Sequence, residues 1–176
     1  MPVVVVMGVS GSGKTTVGRL MAAELSVPFV DADDLHSAEA VEHMASGRPL
    51  DDDQRLPWLQ RVGEHLAAHQ EKGLVMACSA LKRNYRDLLR RTGPSDVFFV
   101  HLNGSREVLL ERMLAREHFM PPALLDSQLE TLEALEPDEN GATVDIAGLP
   151  EDVVATSLRS INAATQKGVS GPQYRQ

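Results

Sequence analysis

The chain has 176 residues, with 17 Lys and Arg against 25 Asp and Glu, which gives a formal net charge of −8. This length fits one globular domain that buries a full core without metal or disulfide staples, and it excludes a second large domain. The acidic balance argues against nucleic acid or anionic lipid as the main partner, although a local basic site can hold a small phosphate. The one cysteine, Cys78, excludes an internal disulfide and fits a reducing compartment.

Short β-branched runs alternate along the chain with segments whose apolar residues recur every three or four positions. The run at residues 2–7 is too short to span a bilayer and lacks the cationic head of a secretory signal, so it predicts a buried central strand and no export. Further strands are predicted at 28–31, 74–77, 97–102 and 144–146. Helices are predicted at 14–25, over 33–66 with a break at 47–49, at 81–89, at 105–116, through 132 and from Pro150.

Repeated β-α units need crossover connections, so the sequence predicts an α/β fold with a five-stranded parallel sheet and helices on both faces. We expect a single domain at residues 1–165. Within it, residues 33–70 form a helical insert and residues 116–122 form a lid. The polar tail at 166–176 is expected to be disordered.

Residues 8–15 fit the pattern G-x-x-x-x-G-K-[ST] and lie between a predicted buried strand and a predicted helix, the context that this phosphate-binding loop requires. Glycines let backbone N–H groups turn inward around a β-phosphate, Lys14 reaches the β- and γ-phosphates, and Thr15 can ligate Mg²⁺. We therefore expect ATP and Mg²⁺ as ligands and a catalytic role for Lys14. The residues expected at the nucleotide are Gly8, Ser10, Gly11, Ser12, Gly13, Lys14, Thr15 and Thr16.

A phosphate-binding loop alone does not separate a motor, a GTP switch and a small-molecule kinase. A GTPase would need a guanine-reading Asn-Lys-x-Asp segment after a late strand, and none occurs. Asp31 and Asp33 instead close the second predicted strand, where strand ends open into the crevice of a doubly wound sheet. Extended residues i and i+2 share a face, so both carboxylates are expected on the same side of the strand end. We assign Asp31, nearer the sheet, to the Mg²⁺ water shell. We assign Asp33, further out, as the catalytic residue that accepts the proton of an acceptor hydroxyl.

Basic residues follow the third and fourth strands at helical spacing. Lys82, Arg86 and Arg90 are four apart, and Lys82 lies in the first turn of its helix, close to the crevice. Arg112 and Arg116 precede a loop that ends in two prolines. We interpret this segment as a cationic flap over ATP, with Arg112 at the nucleotide and Arg116 neutralising the moving phosphoryl group.

With these motifs in place, the sequence resembles the gluconate kinases of the small thermoresistant type, relatives of shikimate kinase within the nucleoside-monophosphate-kinase-like group. The most particular segments are Met44-Ala45-Ser46-Gly47 and Cys78-Ser79-Ala80-Leu81-Lys82. The resemblance covers nearly the whole chain and also includes residues 7–14, 31–36, 53–59, 85–87 and 118–121. Gln54 stands where the family usually has an acidic or other polar residue, and the family commonly has an extra residue between Arg116 and His118.

The resemblance implies ATP-dependent phosphorylation of D-gluconate at its 6-hydroxyl, with Mg²⁺, in the cytoplasm and as a homodimer. A gluconate carboxylate needs cations and a polyol needs short polar partners. The candidate substrate-binding residues are Asp33, His36, Arg55, Ser79, Lys82, Arg86 and His118.

Two alternatives remain at this point. One is a kinase of another small hydroxy acid, of which shikimate is the nearest, although this chain has Cys78-Ser79-Ala80 where shikimate kinases resemble one another in a Gly-Gly-Gly. The other is a non-catalytic ATP-binding module that regulates a partner. Such a module would not need both the Asp pair and the arginine flap, so their joint presence favours turnover.

Overall fold

The computed structural model describes residues 1–115 and 122–169, and it confirms the predicted five-stranded parallel sheet with helices on both faces. The strands are β1 (Val3–Met7), β2 (Phe29–Asp31), β3 (Leu74–Ala77), β4 (Phe98–Asn103) and β5 (Gly141–Asp145). Their order is β2-β3-β1-β4-β5, and each neighbouring pair runs parallel. The valine-rich β1 therefore lies in the centre, as its uninterrupted apolar run indicates.

The helices follow the strands in the expected alternation. They are α1 (Lys14–Leu25), α2 (Ala38–Ala45), α3 (Asp52–Ala68), α4 (Arg83–Thr92), α5 (Arg106–Leu114), α6 (Pro122–Thr131) and α7 (Pro150–Val169), with a short 3₁₀ helix at Ala32–Leu35. Within the two described ranges, no helix is both long enough and apolar enough to cross a membrane. The expected lid, apart from Pro122, lies outside the described residues.

The core forms two layers, one on each face of the sheet. Successive side chains of β1 point to opposite faces, so Val4 and Val6 belong to one buried cluster while Val3, Val5 and Met7 belong to the other. The first cluster contains side chains from α1, α5, α6 and α7, and the second contains side chains from α3 and α4. With both faces covered, the carboxyl ends of the strands form the open edge where a ligand can bind.

Most element boundaries differ from the sequence prediction by a few residues, and three differences have larger consequences. Strand β5 starts earlier, at Gly141, because it pairs with β4 from Phe99 to Asn103. Helix α7 continues to Val169, so the first residues of the tail expected to be disordered are helical, and residues 170–176 lie outside the described part. The third difference concerns the site: Asp33 belongs to the 3₁₀ helix that follows β2 and not to an extended strand end.

Candidate active site

The phosphate-binding loop joins β1 to α1. Gly8, Gly11 and Gly13 have φ values of 146°, 81° and 90°. L-residues with a Cβ atom rarely adopt these angles, whereas glycine adopts them readily. A Cβ at Gly11 would lie 2.6 Å from the carbonyl oxygen of Leu109 in α5, so that helix supports the loop from behind. The backbone angles of the loop and the close approach of α5 thus explain why glycine occupies these positions of the motif.

The amino end of α1 faces the open edge of the sheet. The helix starts at Lys14, and its N-cap, Gly13, supplies no capping side chain. The first-turn amides are therefore available to an anionic ligand, which the helix dipole also favours. The Lys14 Nζ donates to the Val9 carbonyl oxygen at 3.1 Å, which holds the ammonium group across the loop. Of the other motif residues, Ser12 is buried behind the loop, while Thr15 and Thr16 are exposed.

Thr15 and Asp31 lie side by side at this edge. The Thr15 hydroxyl donates to Asp31 Oδ2 at 3.2 Å, which brings together a hydroxyl and a carboxylate of the hard oxygen type that Mg²⁺ prefers. Among the residues that the structure describes, no group of three or more His, Cys, Asp or Glu side chains could hold a metal ion. This pair therefore fits a cation held mainly by water and substrate phosphates, the usual arrangement for Mg²⁺.

Asp33 lies next to this pair, but for a different reason from the one predicted. Asp31 is the N-cap of the 3₁₀ helix, and its Oδ1 accepts the backbone N–H of Asp33 at 3.1 Å. The Asp33 side chain is 84% exposed. Partial desolvation by the surrounding protein and then the charge of Asp31 raise the pKa of Asp33, while His36 and Lys14 act to lower it, and the exposed carboxylate stays in contact with water. A carboxylate with a raised pKa is a better proton acceptor.

Helix α3 anchors the turn that carries Asp33. Trp58 Nε1 donates to the Ala32 carbonyl oxygen at 2.7 Å, and Arg61 Nε donates to the Leu35 carbonyl oxygen at 3.0 Å. The His36 ring stacks on Trp58 with ring centres 4.4 Å apart, and its Nε2 lies 3.9 Å from Asp33 Oδ1. His36 is thus brought beside Asp33, although only 7% of its side chain is exposed. Burial lowers the pKa of His36 and so favours the neutral ring.

Two of the cations predicted to bind the substrate, Arg55 and Lys82, meet at Tyr85 and Asp52, near the starts of α3 and α4. Lys82 Nζ donates to both carboxylate oxygens of Asp52, at 3.0 and 2.8 Å, and the Tyr85 hydroxyl donates to the same carboxylate. Arg55 Nη1 donates to the Tyr85 hydroxyl at 3.3 Å. We call Asp52, Arg55, Lys82 and Tyr85 the acceptor cluster. Hydrogen bonds from Lys82 and Tyr85 lower the pKa of Asp52, and the bond to Asp52 raises the pKa of Lys82.

Ser79 connects the two halves of the site. Its carbonyl oxygen accepts the backbone N–H of Gly8 at 3.3 Å, and its side chain is partly exposed. The segment from Ser79 to Lys82 therefore runs from the phosphate-binding loop to the acceptor cluster.

Arg86 requires a correction, because it is not presented to a substrate in this structure. Its side chain is completely buried, and Glu139 accepts from its Nε at 2.7 Å and from its Nη2 at 2.8 Å. The remaining donors reach backbone carbonyl oxygens. The helical periodicity placed Arg86 on the side of α4 opposite the apolar stripe, and that side is covered by residues 133–139, which the periodicity did not reveal.

Of the predicted flap residues, Arg112 is within the described part. Its Nη1 lies 3.8 Å from the point where a Cβ on Gly13 would be, and its Nη2 donates to the Ile146 carbonyl oxygen. Arg112 is thus positioned beside the phosphate-binding loop. Arg116 and His118 lie outside the described residues.

Three residues of the site were missed by the sequence analysis. Asp52 belongs to an acidic run that is typical of a helix start, and Tyr85 was assigned to the apolar face of α4. The Gln128 Oε1 accepts the backbone N–H of Ser10 at 2.7 Å, which ties α6 to the phosphate-binding loop. Nothing in the local sequence distinguishes Gln128 from any other polar helix residue. For Tyr85, the resemblance through residues 85–87 was the available signal.

Comparison with known proteins agrees with this geometry. Residues 10–152 match the family model for shikimate kinase. The chain is 49% identical to the thermosensitive gluconokinase of Escherichia coli K12 over 77% of this chain and 73% of that protein, and 44% identical to the thermoresistant gluconokinase of the same organism over 89% and 91%. The crystal structure of a gluconokinase from Sinorhizobium meliloti 1021 superposes with a TM-score of 0.88 at 43% identity, covering 97% of this chain and 98% of that one. The chain belongs to the gluconokinase family of shikimate-kinase-like phosphate-loop kinases.

Proposed function

We propose that this protein transfers the γ-phosphoryl group of ATP to the 6-hydroxyl of D-gluconate, giving 6-phospho-D-gluconate and ADP. The observation that carries the proposal is the crevice itself, which has a phosphate-binding loop at one end and the acceptor cluster at the other. Asp33 lies on the 3₁₀ turn that follows β2, beside Asp31, which accepts a hydrogen bond from Thr15 at the start of α1. A sugar acid fits both ends of this crevice. Its carboxylate can bind the cations of the acceptor cluster, and its primary hydroxyl, at the other end of the molecule, can reach the γ-phosphate.

On the nucleotide side, the amides of the loop and the first turn of α1 bind the β-phosphate. Lys14, freed from the Val9 carbonyl oxygen, reaches the β- and γ-phosphates as a point charge. Arg112 binds from the side of α5, beside Gly13. In the proposed lid, Arg116 adds positive charge to the transferred group and His118 contacts the substrate.

Mg²⁺ is part of this proposal. Thr15 would bind the ion through its hydroxyl, and Asp31 would hold its water shell, because their oxygens already face each other across 3.2 Å. The bound ion neutralises phosphate charge. We also propose that the protein forms a homodimer and acts in the cytoplasm, as the resemblance implies. Sedimentation velocity measures the oligomeric state.

On the acceptor side, Arg55 and Lys82 bind the gluconate carboxylate. Asp52 accepts hydrogen bonds from the Lys82 ammonium and the Tyr85 hydroxyl in this structure, and this pairing with a carboxylate supports the proposal. Helix α4 has no acidic residue in its first turn, and its amino end adds favourable potential for an anion. Asp33, His36 and Ser79 are proposed to contact the polyol, and Asp33 takes the proton of the attacking hydroxyl.

The test is ATP turnover measured by coupled ADP release with gluconate, other aldonates, shikimate and nucleoside monophosphates as acceptors. We expect gluconate to give the highest kcat/KM, and mass spectrometry to find the phosphoryl group on the terminal oxygen. A higher kcat/KM with shikimate or a nucleoside monophosphate, or acceptor-independent ADP release alone, would overturn the proposal.

A further inference from the structure

The turn after β3 contains a strained residue. Ala80 has a φ of 44°, in the left-handed region that costs free energy for any residue with a Cβ. The turn lies directly between Ser79, which contacts the phosphate-binding loop, and Lys82, which belongs to the acceptor cluster. A relaxation of the Ala80 backbone would therefore move Lys82 relative to the phosphate-binding loop.

Arg86 holds this turn through its backbone. Its Nη1 donates to the carbonyl oxygens of Ala80 at 3.1 Å and Leu81 at 3.3 Å, while Nε and Nη2 are fixed by Glu139. The guanidinium is planar and rigid, so a carboxylate that fixes one side also fixes the direction of the other donors. Both charged side chains are completely buried, which strengthens these hydrogen bonds and removes competition from water.

The same guanidinium also reaches the chain after α6. It donates to the carbonyl oxygens of Glu133 at 3.1 Å and Ala134 at 3.2 Å, and the Glu133 backbone N–H donates to the Leu81 carbonyl oxygen at 2.8 Å. Arg86 is thus the common partner of two backbone segments that border the site.

We propose that Arg86 is a positioning residue for acceptor binding: oriented by Glu139, it holds Ala80 in its left-handed conformation and so places Lys82 to bind the substrate carboxylate. This inference rests on the proposed function. It gives Arg86 a role without substrate contact, whereas the sequence pattern assigned it to the substrate directly.

The experiment compares Arg86→Lys with and without Ala80→Gly. Lysine keeps a charge near Glu139 but loses the planar set of donors, so we expect the gluconate KM to rise by about tenfold and the ATP KM to stay within about twofold. Glycine adopts positive φ readily, so Ala80→Gly should return the gluconate KM of Arg86→Lys toward the wild-type value by about threefold or more. Ala80→Gly alone should leave both KM values within about twofold.

Arg90→Lys is the matched control. Arg90 lies on the same helix and shares Glu139, but its other contacts are Asp87 and the face of Phe99. We expect Arg90→Lys to leave the gluconate KM within about twofold. A similar rise of the gluconate KM in Arg90→Lys would mean that disruption of the charge network, and not the turn, is responsible.

If Arg86→Lys does not fold, Arg86→Met with Glu139→Gln removes both buried charges together and carries the same comparison. The inference is overturned if a folded Arg86 variant keeps its gluconate KM, if the ATP KM rises equally, or if Ala80→Gly brings no recovery. Failure of the proposed function is a separate result, because it would appear as an absence of gluconate turnover in the wild-type protein.

Discussion

Glu139 and Asp52 are two of the carboxylates that cations at or next to α4 bind, and they differ in their access to water. Glu139 and its partner Arg86 are completely buried, and Arg90 donates to the same carboxylate at 2.5 Å. Asp52 and its partner Lys82 are partly open, with 52% and 30% of their side chains exposed. Both sites are pairs of a carboxylate and a cation, but they differ in exchange with ligands. The buried cation keeps its carboxylate, whereas the exposed cation can bind another anion in its place.

Because of this difference in solvent access, we expect the buried pair to affect the stability of the fold and the exposed pair to affect substrate binding. Removing one partner of a buried pair leaves an uncompensated charge, so a variant that breaks the Glu139 network is expected to destabilise the fold and the turn at Ala80. An exposed pair contributes little to stability because water and salt compete with it. Under the proposed function, the donors around Asp52 exchange that carboxylate for the carboxylate of the substrate, and we expect variants in the two regions to separate stability from activity.

The largest expected effect is on turnover, in the open region. Asp33→Asn keeps the size of the side chain but cannot take a proton, so kcat with gluconate should fall by roughly 10²- to 10⁴-fold. The lower end of this range fits a loose transition state that needs little help from a base. Calorimetry should find ATP affinity nearly unchanged. If kcat stays within about threefold of the wild type, Asp33 is not the base.

The next largest effect is on stability, in the buried region. Glu139→Gln should lower the free energy of unfolding by about 3 kcal/mol, because the buried guanidinium of Arg86 loses its counter-ion. Asp52→Asn is the matched exposed change and should cost less than about 1 kcal/mol. Urea unfolding measures both. Equal losses in the two variants would remove the distinction between the regions.

A smaller effect is expected on substrate affinity. Arg55→Lys keeps the charge next to Tyr85 but loses the planar donors, so the gluconate KM should rise by roughly tenfold while the ATP KM stays the same. Initial-rate kinetics with each substrate varied in turn provide the measurement. A parallel rise of both KM values would point to structural damage at the start of α3.

The smallest effect concerns pH. Burial alone would raise the pKa of Glu139, but hydrogen bonds from Arg86 and Arg90 lower it from 4.5 to about 2. The stability that Glu139 contributes is therefore complete above about pH 4.5 and is lost as the pH falls toward 2. Glutamine does not titrate, so the stability gap between the wild type and Glu139→Gln should narrow by about 1 kcal/mol at pH 4 relative to pH 7. A constant gap would contradict the lowered pKa.

Much of this molecule follows from local sequence signals. The valine run of β1 predicted a central strand, and the glycine spacing predicted the loop that the structure confirms in its backbone angles. Both features depend on residues adjacent in sequence, for which steric and burial rules suffice. The position of Asp31 and Asp33 near the phosphate-binding loop was predicted from their place at a strand end, although the extended geometry assumed for Asp33 was wrong.

The contacts that the sequence did not predict are long-range. Arg86 and Glu139 are far apart in sequence, and the periodicity of α4 contains no information about which segment covers it. The same holds for Gln128 at the phosphate-binding loop and for Asp52 at Lys82. A single sequence gives residue types and local spacing, while these pairings depend on how α3 and residues 133–139 pack against α4.

The exposed donors around Asp52 are proposed to bind the substrate carboxylate. The most direct measurement is calorimetric binding of gluconate and of D-glucitol, which has a hydroxymethyl group in place of the carboxylate, to the wild type and to Lys82→Met. We expect Lys82→Met to weaken gluconate binding by about tenfold or more and to change D-glucitol binding by less than about threefold. Equal weakening of both ligands, or unchanged gluconate binding, would contradict this proposal.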